Sequence, residues 1–425
     1  SPHKFASAFM STLPRSLRSP LTIVICGALM MLICNGLRAN SGLWLQPMSL
    51  AHGWGREVFA LAIALQNFLW GVGSPLFGVI ADKYGAGRAL FAGALLYGLG
   101  MVGMAYASTP AELYLSTGML IGFGIAGTSY TVVLGVFSRI ARPEQRSLLM
   151  GVGTAAGSMG QFIMLPVGQA WINGVGWQDA LLLQLGLIAL MLPLAYGLSG
   201  RPQQAREELS QSSIHTATPL GLMDALREAL CDRSFHLLFW GYFTCGFQVV
   251  FIGLHLPSYL VDQGLPTTLG ASAIAVVGLS NIAGSFLSGW LGGRYSKKLL
   301  LSGLYFLRSV VILVFILSPL SVFSVYVFAA CMGLLWLSTV PLTQGLVGQI
   351  YGLRYVSTLV GVVFMGHQIG SFLGAWLGGR IYDMTGSYDL AWWLIIGSGF
   401  YAAVMHLPIR EQPLALRRAA ELQAA

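Results

Sequence analysis

Long apolar runs alternate with short polar breaks along the whole chain. The runs cover 21–49, 57–80, 89–107, 111–138, 147–171, 178–199, 235–261, 268–292, 299–317, 322–350, 356–381 and 389–407. A helix needs about 20 mostly apolar residues to cross the hydrocarbon core, and a membrane strand only about 10. The pattern therefore predicts twelve membrane-spanning helices, numbered here in chain order. Several runs exceed the minimum, which predicts tilt or kinks. One long polar segment interrupts the series. Residues 200–234 contain QQAREELSQSSIHT and then the amphipathic stretch LMDALREAL. The expected organisation is an N-terminal six-helix half (1–199), a linker with a helix on the membrane surface (200–234) and a C-terminal six-helix half (235–425).

Composition agrees. Of 425 residues, 56% are hydrophobic and 9% charged, whereas soluble domains carry about 25% charged residues. The fold class is an all-α membrane protein. The net charge of +8 is unevenly placed. Of the 23 Lys and Arg residues, Arg38 and Arg308 fall inside apolar runs, Arg56 and Arg380 fall on one side, and the remaining nineteen fall on the other. The positive-inside rule places those nineteen, and both termini, in the cytoplasm. No basic patch with interleaved aromatics suggests a nucleic-acid partner. No HExxH, nucleophile elbow, phosphate loop or sizeable soluble domain suggests an enzyme, and no cofactor or metal is expected. The N-terminus shows no signal-peptide pattern. Cys26, Cys34, Cys231, Cys245 and Cys331 show no metal or disulfide spacing and read as small packing residues.

The chain also repeats itself. GSPLFGVIADKY (73–84) matches GSFLSGWLGGRY (284–295), 211 residues on, and GSFLGAWLGGR (370–380) matches GSFLSGWLGGR (284–294). The first pair relates the two halves. The second relates spans eight and eleven, which run in opposite directions. Parallel halves with inverted three-helix repeats inside each are a transporter architecture.

Residues 78–88, GVIADKYGAGR, resemble the loop signature of the major facilitator superfamily. Gly78, Asp82, Lys83, Gly85 and Arg88 fill its positions, and Ala89 stands where the family has a second basic residue. The copy in the second half keeps Gly289 and Arg294 but has Gly293 in place of the aspartate. The resemblance implies two pseudo-symmetric six-helix bundles that rock against each other, with this loop bracing the cytoplasmic side. Asp82, Lys83, Arg88, Arg139 and Arg294 are the expected cytoplasmic gate. GLRANSGLWLQPM (36–48), GWGREVFALAIALQN (53–67), HQIGSFLGAWLGG (367–379) and YDMTGSYDLAWW (382–393) resemble the bacterial monocarboxylate-transporter and oxalate/formate-antiporter branch. Animal members of that branch carry an Asp and an Arg in span eight, where this chain has Asn281 and no charge. GVGTAAGSMGQFIMLP lacks the span-five motif of drug/proton antiporters.

The charges at membrane depth carry the chemistry. Arg38 and Arg308 lie in mid-span, and all fifteen Asp and Glu residues fall at span ends or in loops. An arginine at a helix centre costs about 2.5–3.5 kcal/mol even on lenient scales. With no protein anion at that depth, the substrate is expected to bring the negative charge, and a guanidinium grips a carboxylate with two parallel hydrogen bonds. Arg38 is the expected counter-ion, with Asn35 and Asn40 as further donors. A structural arginine bonding to carbonyls of a broken helix is the competing reading. His367 is the candidate proton carrier, or a hydrogen-bond donor to substrate, with Gln368 beside it. His255 reads as structural or gate-lining. Spans one, four, seven and ten line the cavity in the resembling family, which adds Tyr130, Gln248 and Trp336. Asn281 and Arg308 complete the candidate substrate site.

The expected function is secondary transport of a small organic anion, a monocarboxylate or short dicarboxylate, by proton symport or anion exchange. The expected setting is a bacterial inner membrane, with the protein a monomer. The alternative is a carrier of a larger amphipathic compound (siderophore, muropeptide or drug) lined by Trp44, Trp70 and Trp336.

Overall fold

A computed structural model describes residues 19–54, 56–199 and 221–424. Most of the expected linker, 200–220, lies outside the described residues. Eleven helices among the described residues are long and apolar enough to cross a membrane. The twelfth, Asp389–His406, packs in the same bundle. It is 18 residues long and carries an aspartate and a histidine at its ends, which lowers its mean hydropathy. Leu61, Leu99, Leu183, Leu254, Phe306 and Phe323 stand exposed around the outside, as an apolar belt facing lipid requires. No strand occurs among the described residues.

The long runs resolve into broken helices. Span one is Pro20–Ala39, one 3₁₀ turn at Asn40–Trp44, and Leu45–His52. Span two is Arg56–Tyr84 and span three Ala86–Tyr106. Span four runs from Pro110 to Ile140 through a π-helical stretch, Tyr114–Leu120, and a break at Ser129. Spans five and six are Arg146–Val175 and Trp177–Gly197. The surface helix Leu222–Cys231 forms where the amphipathic stretch predicts one, and Asp232 joins it to span seven, Arg233–Asp262. Span eight is Thr267–Gly292 and span nine Lys297–Leu317. Span ten breaks between Val322–Leu335 and Thr339–Tyr351. Span eleven is Val356–Thr385. A last helix, Leu414–Ala424, follows span twelve.

The two halves repeat at the level of single contacts. Cys34 on span one meets the Thr128 hydroxyl at 3.2 Å, and Cys245 on span seven meets the Thr339 hydroxyl at 3.2 Å. Both pairs are separated by 94 residues, and the second is the first displaced by 211. Span two supports the break in span four, because the Trp70 indole N–H donates to Ser129 Oγ at 3.0 Å. Asn281, at the equivalent place on span eight, supports the break in span ten by accepting from Leu337 N–H at 2.9 Å. A broken membrane helix leaves backbone groups that must find partners inside the protein: Asn281 supplies one to Leu337 N–H, and Trp70 holds the Ser129 side chain at the matching break.

The halves touch along spans two and eleven and along spans five and eight. These interfaces need small residues. A Cβ on Gly78 would lie 2.5 Å from the Ser357 carbonyl oxygen, and one on Gly151 would lie 2.9 Å from Gly289 Cα. Gly85 has φ +99°, a conformation that favours glycine, and it turns span two into span three. One end of the bundle gathers Asp82, Arg139, Ser357, Lys297, Lys298 and Glu411. It is called the basic end below.

Candidate functional site

Arg38 sits in the last turn of Pro20–Ala39. Free carbonyls at a helix C-terminus carry partial negative charge, which favours a cation there. The guanidinium carbon lies 4.9 Å from the Trp70 ring centroid, a contact that contributes about 0.5–2 kcal/mol. The Arg38 Nε is buried and has no hydrogen-bond partner. Among the described residues the ion pairs are Arg139–Asp82, Arg417–Asp232 and Arg418–Glu228, so no carboxylate meets Arg38. Asn35, one turn earlier, is buried and donates to the Met31 carbonyl at 3.0 Å. Tyr130 begins the second part of span four, and its hydroxyl is buried and unpartnered. Both groups border Gly157 on span five: a Cβ there would lie 2.9 Å from the Tyr130 oxygen and 3.0 Å from Asn35 Nδ2. Both Asn40 side-chain polar atoms are also buried without partners.

An aromatic wall leads from Arg38 into the other half. Trp70 meets Phe364 of span eleven at 4.9 Å between ring centroids. Phe364 stacks on His367 at 5.3 Å, and Tyr242 of span seven lies 4.9 Å from the same imidazole. His367 Nδ1 is 3.3 Å from Gln368 Oε1 and 3.4 Å from Ser371 Oγ. Gln368 Nε2 is buried without a partner. Arg38, Asn35 and Tyr130 thus form one face. His367 and Gln368 form the other, with Trp70, Phe364 and Tyr242 between them.

The remaining candidates are engaged elsewhere. Gln248 turns toward span twelve and donates to the Ile395 carbonyl at 2.9 Å. Asn281 donates to Ser158 Oγ of span five at 2.7 Å, so it ties the halves together as well as holding the break in span ten. Arg308 is fully buried. Its Nε and Nη2 donate to the Leu335 carbonyl at 2.9 and 2.6 Å, and Nη2 also donates to the Trp336 carbonyl. Trp336 is the residue at which span ten breaks, and its ring is half-buried. His255 bonds to the Ala375 carbonyl at 2.9 Å.

The basic end holds a second polar cluster. Asp82 Oδ1 takes a hydrogen bond from Arg139 at 2.7 Å. Asp82 Oδ2 accepts from Thr358 N–H at 2.7 Å and from the Thr358 hydroxyl at 2.8 Å, and Oδ1 accepts from Ser357 N–H at 3.3 Å. An acid of the N-terminal half therefore caps the start of span eleven, where free N–H groups and the helix dipole favour an anion. Lys83, Arg88 and Arg294 stand exposed outside this cluster, and Arg294 lies over the Trp290 ring. Gly293 packs on the Glu144 carbonyl, where a Cβ would lie 2.8 Å away. A side chain at this position of the second signature copy would crowd that carbonyl.

Sequence reasoning named neither the Phe364–Tyr242 wall nor Ser357 and Thr358. Nor did it single out Cys245, whose match to Cys34 at the 211-residue displacement was the available signal.

Comparison with known proteins agrees with this architecture. Residues 23–375 match the Major Facilitator Superfamily. An uncharacterized MFS-type transporter of Bacillus subtilis, YcxA, is 25% identical over 366 residues, which cover 84% of this chain and 86% of that one. Monocarboxylate transporter 13 of Rattus norvegicus is 28% identical over 361 residues, 82% of this chain and 79% of the relative. Among solved structures, the proton:xylose symporter XylE aligns with TM-score 0.70 at 15% identity, covering 94% of this chain and 98% of that one. The chain belongs to the Major Facilitator Superfamily, as a membrane transporter that resembles the monocarboxylate branch.

Proposed function

We propose that this protein is a secondary carrier of a small organic anion, a monocarboxylate or short dicarboxylate, with Arg38 as the group that holds the carboxylate. The supporting observation is the Arg38 guanidinium itself. It is braced on Trp70 at mid-depth, it meets no acid, and its Nε has no hydrogen-bond partner. Asn35 and Tyr130 lie on the same side as further polar contacts. The aromatic wall suits an apolar body attached to the carboxylate, and it also favours a second reading, transport of a larger amphipathic anion. Transport proceeds by alternating access in a bacterial inner membrane, with the basic end in the cytoplasm and the protein working as a monomer. In the state described, Asp82 holds the basic end shut. Opening it breaks the bonds to Ser357 and Thr358 and lets the halves rock apart.

The test is uptake of labelled carboxylates of increasing size into proteoliposomes, with and without a pH gradient. A charge-assisted hydrogen bond contributes about 1.5–3 kcal/mol, so Arg38→Ala is expected to lower uptake about 10–100-fold. Arg38→Lys should retain part of the activity, because it keeps the charge and loses the two-pronged grip. Unchanged uptake by Arg38→Ala would remove the assignment. Preference for the largest members of the panel would favour the second reading.

A further inference from the structure

The charge of Arg308 has no visible counterpart. The residue has 0% of its surface exposed, and a buried cation without a partner is costly. Its bonds to the carbonyls of Leu335 and Trp336 satisfy donors, but a carbonyl carries no net charge. The ion pairs among the described residues leave Arg308 out. The remaining nitrogen, Nη1, points at the sulfur of Cys245 at 3.4 Å.

The groups that face this sulfur come from four spans. Span seven supplies Tyr242 and span nine supplies Arg308 and Tyr305. Span ten supplies the Thr339 hydroxyl at 3.2 Å, and span eleven brings the His367 imidazole against Tyr242, 4.9 Å between ring centroids. Tyr305 presents its ring to the Arg308 guanidinium, 5.4 Å from the centroid, and stacks on His406 of span twelve. The thiol is thus the acid whose own atom contacts the guanidinium. Thiols next to Arg or His cations ionise to thiolates. Cys34 gives the contrast within the same molecule. It makes the equivalent bond to Thr128, yet no guanidinium hydrogen-bonds to it.

We propose that Cys245 is a proton-binding site: a thiolate paired with Arg308, which takes up the proton that couples to transport. The proton comes from hydronium in the aqueous pathway. A sulfur lone pair forms the S–H bond, a hydronium O–H bond breaks, and water remains. Protonation cancels the anion beside Arg308, the residue that holds the break in span ten. Tyr242, one turn before the thiol on span seven, meets Phe364 and His367 and so joins the thiol's surroundings to the aromatic wall and the face that carries Arg38. The coupling role rests on the carrier reading above. The existence of the proton site does not.

Infrared spectroscopy of the purified full chain separates the two, because the S–H stretch lies in a region free of other protein bands. Wild type minus Cys245→Ser should show no S–H band at neutral pH and a band that grows on acidification. Cys245→Ala serves as a second reference should the serine variant misfold. Wild type minus Cys34→Ser should show a band that does not change with pH. A pH-independent S–H band from Cys245 would overturn the proton site. For carboxylates that the wild type takes up, uptake should rise at least about threefold between about pH 8 and about pH 6, and Cys245→Ser should flatten that profile. An unchanged profile would overturn the coupling role. Absence of uptake for every carboxylate would remove the substrate reading and the coupling role together, and the infrared result would still decide the proton site.

Discussion

Each half carries an arginine within an apolar run, and the two are used in opposite ways. Arg308, in the C-terminal half, is enclosed by carbonyls and a thiol that satisfy it within its own half. Arg38, in the N-terminal half, lies on a tryptophan face and has a buried nitrogen with no partner. The places equivalent by the 211-residue displacement are Tyr97 and Val249, so neither arginine is an inherited duplicate of the other. The difference teaches that a charge in an oily run marks a problem, and that only the neighbours tell whether the protein has solved it or left it for a ligand.

The sharpest way to break this comparison is to remove each arginine and watch folding. Arg308→Ala strands the Leu335 and Trp336 carbonyls and is expected to cost about 3–5 kcal/mol, read as a large drop in the thermal unfolding midpoint in detergent. Arg38→Leu should leave that midpoint unchanged or raise it, by up to about 1–3 kcal/mol, because it deletes a buried donor with no partner. If both substitutions destabilise equally, the two arginines are both structural.

The basic end extends the comparison. The N-terminal half sends an acid, Asp82, across the interface, whereas Asp232 and Glu228 at the end of the linker hold the C-terminal tail helix. Asp82→Asn removes the charge that caps span eleven and is expected to shift the balance toward the open state by about 1–2 kcal/mol, roughly tenfold in population. Accessibility of a cysteine placed at Ser357 would report it. Ser158→Ala, which cuts the bond from Asn281 at 2.7 Å, should have a smaller effect of about 0.5–1.5 kcal/mol on the same readout. The smallest effect belongs to Asp232. Partial burial raises its carboxyl pKa, but hydrogen bonds from Arg417 and Tyr351 outweigh that and hold it below the usual carboxylate range. A depressed acid stabilises docking of the Leu414–Ala424 helix fully above the ordinary aspartate pKa and loses that effect as pH falls through the lowered value. Limited proteolysis should release the tail only in strong acid, and Arg417→Ala should release it at neutral pH.

The fold was legible because hydropathy and repeats are one-dimensional signals. The runs located the spans, and the GSxL repeat located the halves. Arg38 was legible for the same reason: one guanidinium in an apolar stretch is visible without coordinates. Arg308 was equally visible, but its use was not, since it depends on a break hidden in LLWLSTVPL, a stretch as apolar as its surroundings. Pro341 was the available clue, because proline cannot donate back to the Leu337 carbonyl. The aromatic wall was illegible, since Trp70, Phe364 and Tyr242 are ordinary residues of apolar helices until three spans converge. The partners of Asp82 were hidden for a different reason. Two of them are backbone N–H groups, which every residue but proline possesses.

The crowding of Gly293 against the Glu144 carbonyl has a mechanical consequence. A carrier with an aspartate in both loops would be bolted at two symmetric points and would need both released at once. On the carrier reading proposed above, Asp82 is a latch beside spans two and eleven with no acidic counterpart at Gly293. On that reading the inner door is expected to loosen first at that edge when Asp82 is neutralised, while the Asn281–Ser158 bond still holds spans five and eight.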